Sequence, residues 1–143
     1  MSVDHDSIKA NDLLVEGKRL HDAGKYEEAV ASFDKAIEIK PEFTDVWYNR
    51  GDALRKLERY DDAIACYDKV IEIDPKNDSA IIRGAWNNKG DALQKLERYE
   101  DAIACYDKAK NTRAWNSKGD ALLELEKYEE AVACYDKVVG ADP

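Results

Sequence analysis

Apolar residues recur along this chain at helical spacing, in short segments that are separated by charged breaks. One such segment aligns Trp47, Leu54 and Leu57, and the next aligns Ala63 and Val70. Residues about three, four or seven positions apart share one face of an α-helix, so each segment predicts an amphipathic helix. The break between the two, the tripeptide LER, is short. The two helices are therefore expected to form a hairpin.

The predicted hairpin occurs in four copies. The sequences DALRKLERYDDAIACYDK (residues 52–69) and DALQKLERYEDAIACYDK (residues 91–108) differ at two positions only. A third copy covers residues 120–137, and a more divergent copy covers residues 18–35. Because neither helix of a hairpin can bury its apolar face alone, successive copies must stack on one another. The repeat predicts an all-α solenoid of four hairpins, with about eight helices packed antiparallel.

Each copy contains a glycine, called its anchor below, and the same residue types recur at fixed distances from it. The anchors are Gly17, Gly51, Gly90 and Gly119. Three copies have tryptophan four positions before the anchor, and all four have tyrosine nine, alanine twelve and an aromatic residue sixteen positions after it. These residues are Trp47, Trp86 and Trp115; Tyr26, Tyr60, Tyr99 and Tyr128; Ala29, Ala63, Ala102 and Ala131; and Phe33, Tyr67, Tyr106 and Tyr135. This signature resembles the tetratricopeptide repeat family over about residues 10–143.

The resemblance implies one right-handed solenoid domain over residues 10–143, after an N-terminal extension over residues 1–9. One departure from the family is visible. The family often has leucine immediately before the anchor glycine, whereas this chain has Glu16, Arg50, Lys89 and Lys118. The expected repeats cover about residues 10–43, 44–77, 83–111 and 112–143, with a five-residue insertion at 78–82.

The spacing of the anchors is uneven at the third repeat. Gly51 and Gly90 are 39 residues apart, but Gly90 and Gly119 are only 29 apart. The insertion predicts that the first helix of this repeat begins about one turn early, with a cap near Asn77 or Asp78.

The matching deletion predicts that the second helix of the third repeat ends one turn short, near Lys110. Thr112 is then expected to cap the following helix. Ile81 and Ile82 are expected to cover the gap left by the missing turn. The alternative interpretation is that the inserted residues form a mobile loop.

Charge and cysteine content narrow the class of partner. A formal net charge of −9 argues against nucleic acid and anionic membranes as partners, because both need a basic surface. No apolar run approaches the ~20 residues of a membrane-spanning helix, and the polar N-terminus does not resemble a secretory signal. Three cysteines without such a signal indicate reduced thiols, so a cytoplasmic location is expected.

No group of residues in the sequence predicts catalysis, a metal or a cofactor. Cys66, Cys105 and Cys134 occupy one position in successive repeats, fifteen after the anchor, which separates them by about 8–10 Å. They cannot share a zinc ion and are interpreted as buried thiols. His5 and His21 have no acid or thiol partner at a repeated position. We therefore expect a protein that is not an enzyme.

The resemblance implies that the first helix of each repeat lines a concave groove in which extended peptides bind. Asparagine amides offer both a donor and an acceptor to a peptide backbone, so a ladder of them is predicted there. The alternative is that these amides only contact water. The candidate groove residues are Tyr48, Asn49, Asp52, Arg55, Asn87, Asn88, Asp91, Lys95, Arg113, Asn116 and Asp120.

One ligand mode of the family is not expected. Members that bind chaperones hold a carboxylate with a clamp of lysines, asparagines and an arginine. Here Asn49 or Asn88 matches a clamp asparagine and Arg113 stands in place of a clamp lysine, but Asp52 would repel the carboxylate.

Two functions are therefore predicted. The first is a scaffold that binds a protein or peptide partner in the groove. The second is a homo-oligomer, because the chain stops at Pro143 where a polar capping helix is expected. That would leave one apolar side of the last helix uncovered, with Ala131, Tyr135 and Val138, and would favour end-to-end association or domain exchange.

Overall fold

The computed structural model describes residues 4–76 and 78–141. These residues form eight α-helices and no strand, which confirms the all-α repeat architecture predicted from the sequence. The helices are α1 (His5–Asp22), α2 (Tyr26–Ile39), α3 (Thr44–Lys56), α4 (Tyr60–Ile73), α5 (Ala80–Lys95), α6 (Tyr99–Ala109), α7 (Thr112–Glu124) and α8 (Tyr128–Ala141). The chain divides into two compact units, residues 1–75 and residues 76–143. A single solenoid domain over residues 10–143 stays a prediction.

The first unit contains two hairpins, α1–α2 and α3–α4, and α2 packs on α3 to join them. Its core includes the fully buried side chains of Phe33, Val46, Leu54 and Tyr67. Helix α1 begins at His5, inside the segment predicted as an extension. Asp4 explains the early start, because its carboxylate accepts hydrogen bonds from the backbone N–H and the hydroxyl of Ser7.

The second unit repeats this order with the hairpins α5–α6 and α7–α8, joined by the packing of α6 on α7. Its last helix corrects a prediction. Ala131 is fully buried against Leu122 and Cys134, and Tyr135 packs against this cluster. The apolar residues that α8 does expose are Tyr128, Val132 and Val139. The prediction followed the repeated positions, but the exposed row lies about a quarter turn around the helix.

A close contact between the anchor glycine and the aromatic ring sixteen residues later holds each hairpin together. A Cβ atom built on Gly51 would lie 2.7 Å from Cε1 of Tyr67, and one on Gly90 would lie 2.6 Å from Cε1 of Tyr106. Gly17 meets the ring of Phe33 and Gly119 meets the ring of Tyr135 in the same way. Each ring therefore rests on bare backbone, and any larger residue at the anchor would push the two helices apart.

The turns inside the hairpins contain a left-handed residue. Gly24 has φ of +79° in the first hairpin, and Glu58, Glu97 and Glu126 have φ of +60° to +61° in the others. The backbone N–H of Arg59 donates to the carbonyl of Leu54, which is the pattern of a Schellman motif. The three glutamates hold a conformation that costs a non-glycine residue about 1 kcal/mol or more.

The insertion lengthens α5 at its N-terminus, as predicted. The helix begins ten residues before Gly90, whereas α3 and α7 begin seven residues before their anchors. The N-cap position is Ser79, one residue after the predicted Asp78, and its side chain makes no capping hydrogen bond. Asp78 does not cap the helix, because its carboxylate binds Arg83 at 2.8 Å. Asn77 lies outside the described residues.

The deletion shortens α6 to 11 residues, against 14 in α2 and α4, which confirms the early stop. Lys110 ends the helix in the left-handed conformation, with φ of +53°. The predicted cap at Thr112 is wrong, because Asn111 accepts the hydrogen bond from the backbone N–H of Ala114 at 2.8 Å. Ile81 is half-buried and Ile82 is buried within α5, so the insertion is not a mobile loop. Whether they cover the gap stays a prediction.

The glycine contact makes a direct prediction for stability. Gly90→Ala should lower the free energy of unfolding by about 1–3 kcal/mol, because the buried Tyr106 ring cannot yield to a Cβ atom at 2.6 Å. The matched control is Gly140→Ala in α8, where nothing lies within 4 Å of the added Cβ. This control should be neutral or stabilising by up to about 1 kcal/mol, since alanine favours helices. Urea unfolding measures both; equal effects would contradict the contact.

Candidate peptide-binding surface

The first unit places its candidate residues on one surface of α3, beside the tip of a tyrosine from α4. The hydroxyl of Tyr67 donates to Oδ1 of Asp52 at 2.5 Å, and Arg55 Nε lies 3.4 Å from the same hydroxyl. The Arg55 guanidinium also lies 3.7 Å from the Asp52 carboxylate. The ring of Tyr48 packs edge-on against that of Tyr67, with centroids 6.0 Å apart. Asp52, Arg55 and the Tyr67 hydroxyl therefore form one polar cluster, and the rings of Tyr48 and Tyr67 pack beside it.

The second unit builds a similar cluster on α5 and extends it to α7. Tyr106 donates its hydroxyl hydrogen to Oδ1 of Asp91 at 2.7 Å. Nη2 of Arg113, at the start of α7, donates to the other Asp91 oxygen at 2.5 Å and to Oδ1 of Asn88 at 2.8 Å. Gln94 reaches from α5 to the Tyr106 hydroxyl and to the backbone carbonyl of Ser117. Two first helices are thus cross-linked by polar side chains at their surface.

Three of the four candidate asparagines make contacts within the protein, so these three do not form a ladder of exposed amides. Asn87 and Asn88 are only 2% and 3% exposed. Asn88 accepts from Arg113, and the Asn87 amide lies 3.3 Å from the capping side chain of Asn111. Asn49 donates to the backbone carbonyl four residues earlier, at 2.7 Å. Sequence reasoning placed these residues at the correct repeat positions but could not see that neighbouring helices would bury two of them.

The remaining candidates lie at the surface of the second unit. Lys95 and Asn116 are exposed, at the end of α5 and in the second turn of α7. Asp120 is also exposed and accepts a hydrogen bond of 2.5 Å from the Tyr135 hydroxyl of α8. Among the described residues, no hydrogen bond or ion pair joins Lys95 or Asn116 to the cluster of Arg113, Asp91, Asn88 and Tyr106, so their role in binding stays a prediction.

The aspartate–tyrosine bond is repeated in three hairpins, and the sequence contains its signal. Aspartate follows each of the last three anchors, and tyrosine stands sixteen positions after the anchor. In the first hairpin these two positions carry Lys18 and Phe33, so the carboxylate and the hydroxyl are lost together. This paired change was visible in the sequence and would have identified the bond.

Burial and the neighbouring carboxylates keep the three tyrosine hydroxyls protonated. Burial, with the charge of Asp52 and of Asp91, raises the pKa of Tyr67 and of Tyr106 far above the ordinary tyrosine value. The pKa of Tyr135, which is less enclosed, rises to about 12, by burial and by its hydrogen bond to Asp120. These hydroxyls therefore act as hydrogen-bond donors and not as acids or bases near neutral pH.

Other chemistry is sparse in the described part of the chain. Cys66, Cys105 and Cys134 are buried and form no disulfide bond. Between residues 4 and 141, apart from residue 77, no three His, Cys, Asp or Glu side chains lie close enough to hold a metal ion. None of the helices in this part of the chain is long and apolar enough to cross a membrane.

The Tyr135 hydrogen bond gives a prediction with a pH signature. Tyr135→Phe should lower the free energy of unfolding by about 0.5–1 kcal/mol at pH 9. The pKa of Tyr135 is raised in the folded state, so its stabilisation is complete below the unfolded value near 10 and is lost as pH rises through about 12. The difference from wild type should therefore shrink by pH 12 in urea unfolding. A constant difference, or the same loss in the exposed control Tyr128→Phe, would contradict this.

Solved structures with the same fold were found by comparison. MamA from Desulfovibrio magneticus RS-1 superposes with a TM-score of 0.83 at 23% identity, over 95% of this chain and 77% of that one. YrrB, described as a TPR protein with an unusual peptide-binding site, gives 0.75 at 23% identity, over 92% of this chain and 68% of that one. The first TPR of Spaghetti (RPAP3), bound to the HSP90 peptide SRMEEVD, gives 0.77 at 22% identity, over 87% of this chain and 99% of that one.

Family models identify the repeats themselves. No curated protein matches the chain by sequence comparison. A model described as tetratricopeptide repeat matches residues 44–77 and 84–110, and a second with that description matches residues 112–143. A third, described as TPR repeat, matches residues 17–57. The insertion at 78–82 falls between the matches, and the chain belongs to the tetratricopeptide repeat family.

Proposed function

We propose that this chain is a non-catalytic protein-interaction scaffold whose first helices bind an extended peptide. The observation that carries the proposal is the cluster of Arg113, Asp91, Asn88 and Tyr106 on α5, α6 and α7. The similar folds of YrrB and of the Spaghetti domain, one described with a peptide-binding site and the other bound to a peptide, support it. So do the buried thiols and the absence of a metal cluster among the described residues.

The Arg113 cluster has the properties of a preorganised recognition surface. The Arg113 side chain is 51% exposed, yet two hydrogen bonds from Nη2 hold it in place. Its guanidinium carries five N–H donors, so donors remain for a carbonyl or carboxylate oxygen of a ligand. Because the side chain is already fixed, binding loses little side-chain entropy, which favours affinity. The Asp52 and Arg55 cluster offers a related surface in the first unit.

The charge of the surface restricts the ligand. Asp91 lies directly beside Arg113, at 2.5 Å, and partly neutralises it. A ligand carboxylate would be attracted by the guanidinium and repelled by the aspartate, so a chain-terminal carboxylate is a poor ligand. Backbone carbonyls and neutral side chains suit this pair better. We therefore propose a peptide held along its backbone rather than by one end.

The test compares two arginines that have similar local partners. Fluorescence binding to an array of unrelated 12-residue peptides should find peptides bound by the wild type and lost, by about tenfold or more in affinity, with Arg113→Ala. The control is Arg98→Ala, which removes an arginine that also pairs with an aspartate at 2.8 Å but lies in the turn before α6. Arg98→Ala should bind the same peptides as the wild type.

Two results would overturn the proposal. One is the absence of any peptide bound by the wild type above the level of an unrelated protein. The other is equal weakening by Arg113→Ala and Arg98→Ala, which would mean that net charge alone controls binding. Circular dichroism of both variants must match that of the wild type, since both arginines are at the surface.

Self-association, the second predicted function, depends on a different surface. The observation that bears on it is the exposed row of Tyr128, Val132 and Val139 on α8. Nothing in the Arg113 cluster requires a second copy of the chain. The apolar side chains of this row and the charge beside it determine which partner can bind there.

A further inference from the structure

One face of α8 combines exposed apolar side chains with a carboxylate that has no partner. Tyr128, Val132 and Val139 are 59%, 56% and 72% exposed. Asp136 lies beside this row on the same helix, and it makes no hydrogen bond or ion pair among the described residues. We call these four residues the α8 face. Among the described residues, the one helix that packs on α8 is α7, on its other side.

Equivalent positions on earlier helices show what kind of element covers such a face. On α2 they are Tyr26, Val30 and Ile37, of which Val30 is buried and the other two are half-buried. Helix α2 packs on α3, the first helix of the next hairpin, and α6 packs on α7 in the same way. The α8 face is therefore of the type that a first helix covers in each unit.

The carboxylate in this position has a specific role in both units. On α2, Asp34 accepts a hydrogen bond of 2.7 Å from Nε of Arg50 on α3. On α6, Asp107 accepts one of 2.7 Å from Nζ of Lys118 on α7. Asp136 is the equivalent residue of α8, seventeen positions after its anchor. A cation from a covering helix is thus the element that the α8 face lacks.

The two covering helices share a pattern around their cation. In α3, Arg50 lies between Val46 and Ala53, four positions before it and three after it, and both are fully buried. In α7, Lys118 lies between Ala114 and Ala121 at the same spacing, again fully buried. The short side chains of valine and alanine let the helix backbone approach while the cation reaches the carboxylate.

From this repeated geometry, we propose that the α8 face docks an amphipathic helix of a partner protein that presents a lysine or arginine between two small apolar residues. The small residues lie four positions before and three after the cation, and the cation pairs with Asp136. The partner helix buries Tyr128, Val132 and Val139. This surface is separate from the Arg113 cluster, so the proposal does not depend on the proposed peptide groove.

Helices α3 and α7 of a second copy carry the pattern but already pack on α2 and α6, and its helix α1 fits this face poorly. Helix α1 carries Asp12, Glu16 and Arg19 at the three pattern positions, so it brings a carboxylate towards Asp136 and large charged side chains in place of small ones. Asp12 and Arg19 are exposed, as expected for a face of α1 on which no other described helix packs.

A second α8 is also a poor occupant. It would bring the same carboxylate without the missing cation, since Lys137 lies over the ring of Trp115 on α7. Charge therefore favours a basic partner helix over a second α8.

The test uses a peptide probe with the sequence of α3. The charge is reversed once in the probe, at Arg50, and once in the protein, at Asp136. The probe is a fluorescein-labelled synthetic peptide with the sequence of residues 44–56, TDVWYNRGDALRK, and the second probe carries Arg50→Glu. Fluorescence anisotropy with the full chain should show the first probe binding about three- to tenfold more tightly than the second. Binding of both should be weak, because a 13-residue helix is marginal in water.

The protein variants assign the site. Asp136→Lys should reverse the preference, so that the Arg50→Glu probe binds more tightly. Val132→Asp should abolish binding of both probes, because it places a charge in the apolar row. The control is Asp61→Lys, which makes the same change in net charge at an exposed position of α4, and it should keep the preference of the wild type.

The outcomes separate this proposal from its alternatives. No binding by the wild type, equal binding of the two probes, or the same shift with Asp61→Lys and Asp136→Lys would each overturn it. A dimer mass in light scattering that Val132→Asp converts to a monomer would mean that a second copy covers the face, and would overturn it too. The Arg113→Ala variant should bind the α3 probe normally, which distinguishes failure here from failure of the proposed groove.

Discussion

The contact between a glycine on the first helix of each hairpin and an aromatic ring on the second determines the rest of this structure. At Gly90 and Gly119 a Cβ atom would lie 2.6 Å from the tyrosine ring, so the helices approach as closely as bare backbone allows. The ring is then held with its hydroxyl at the surface of the first helix. There the hydroxyl meets the aspartate that follows the anchor, at 2.5 Å in two hairpins and 2.7 Å in a third. Packing therefore positions the polar clusters from which a binding function is proposed.

The regular spacing of the anchor glycines explains why much of the fold was predictable from the sequence. A period of about 34 residues, two amphipathic stripes and an anchor glycine leave one arrangement in which all the stripes are buried. The lengthened α5 and the shortened α6 followed from the uneven anchor spacing, because a helix absorbs added or lost residues at its end. The caps were less predictable, since Asp78 could serve either the backbone or Arg83, and the sequence does not rank a cap against an ion pair.

The sequence predicted which helices carry the candidate residues, but it did not predict their hydrogen bonds or their burial. Repeat register correctly placed Asn88, Asp91 and Arg113 on first helices, yet their mutual hydrogen bonds depend on how α5 and α7 approach each other around the shortened α6. Burial of Asn87 and Asn88 follows from that approach and has no signal in a single sequence. The tyrosine hydroxyls did have a signal, the joint change to Lys18 and Phe33 in the first hairpin. Each unit therefore has a polar cluster on its first helices, and α8 of the second unit also has an apolar row beside the carboxylate of Asp136.

A double-mutant cycle on Gly51 and Tyr67 tests the central contact most directly. Gly51→Ala should destabilise the wild type by about 1–3 kcal/mol but should cost much less in a Tyr67→Leu background, because the flexible leucine side chain lacks the ring atom 2.7 Å from the added Cβ. The predicted coupling energy is about 1 kcal/mol or more in urea unfolding. If the two substitutions are additive, the glycine and the ring act independently, and the close approach does not control the fold.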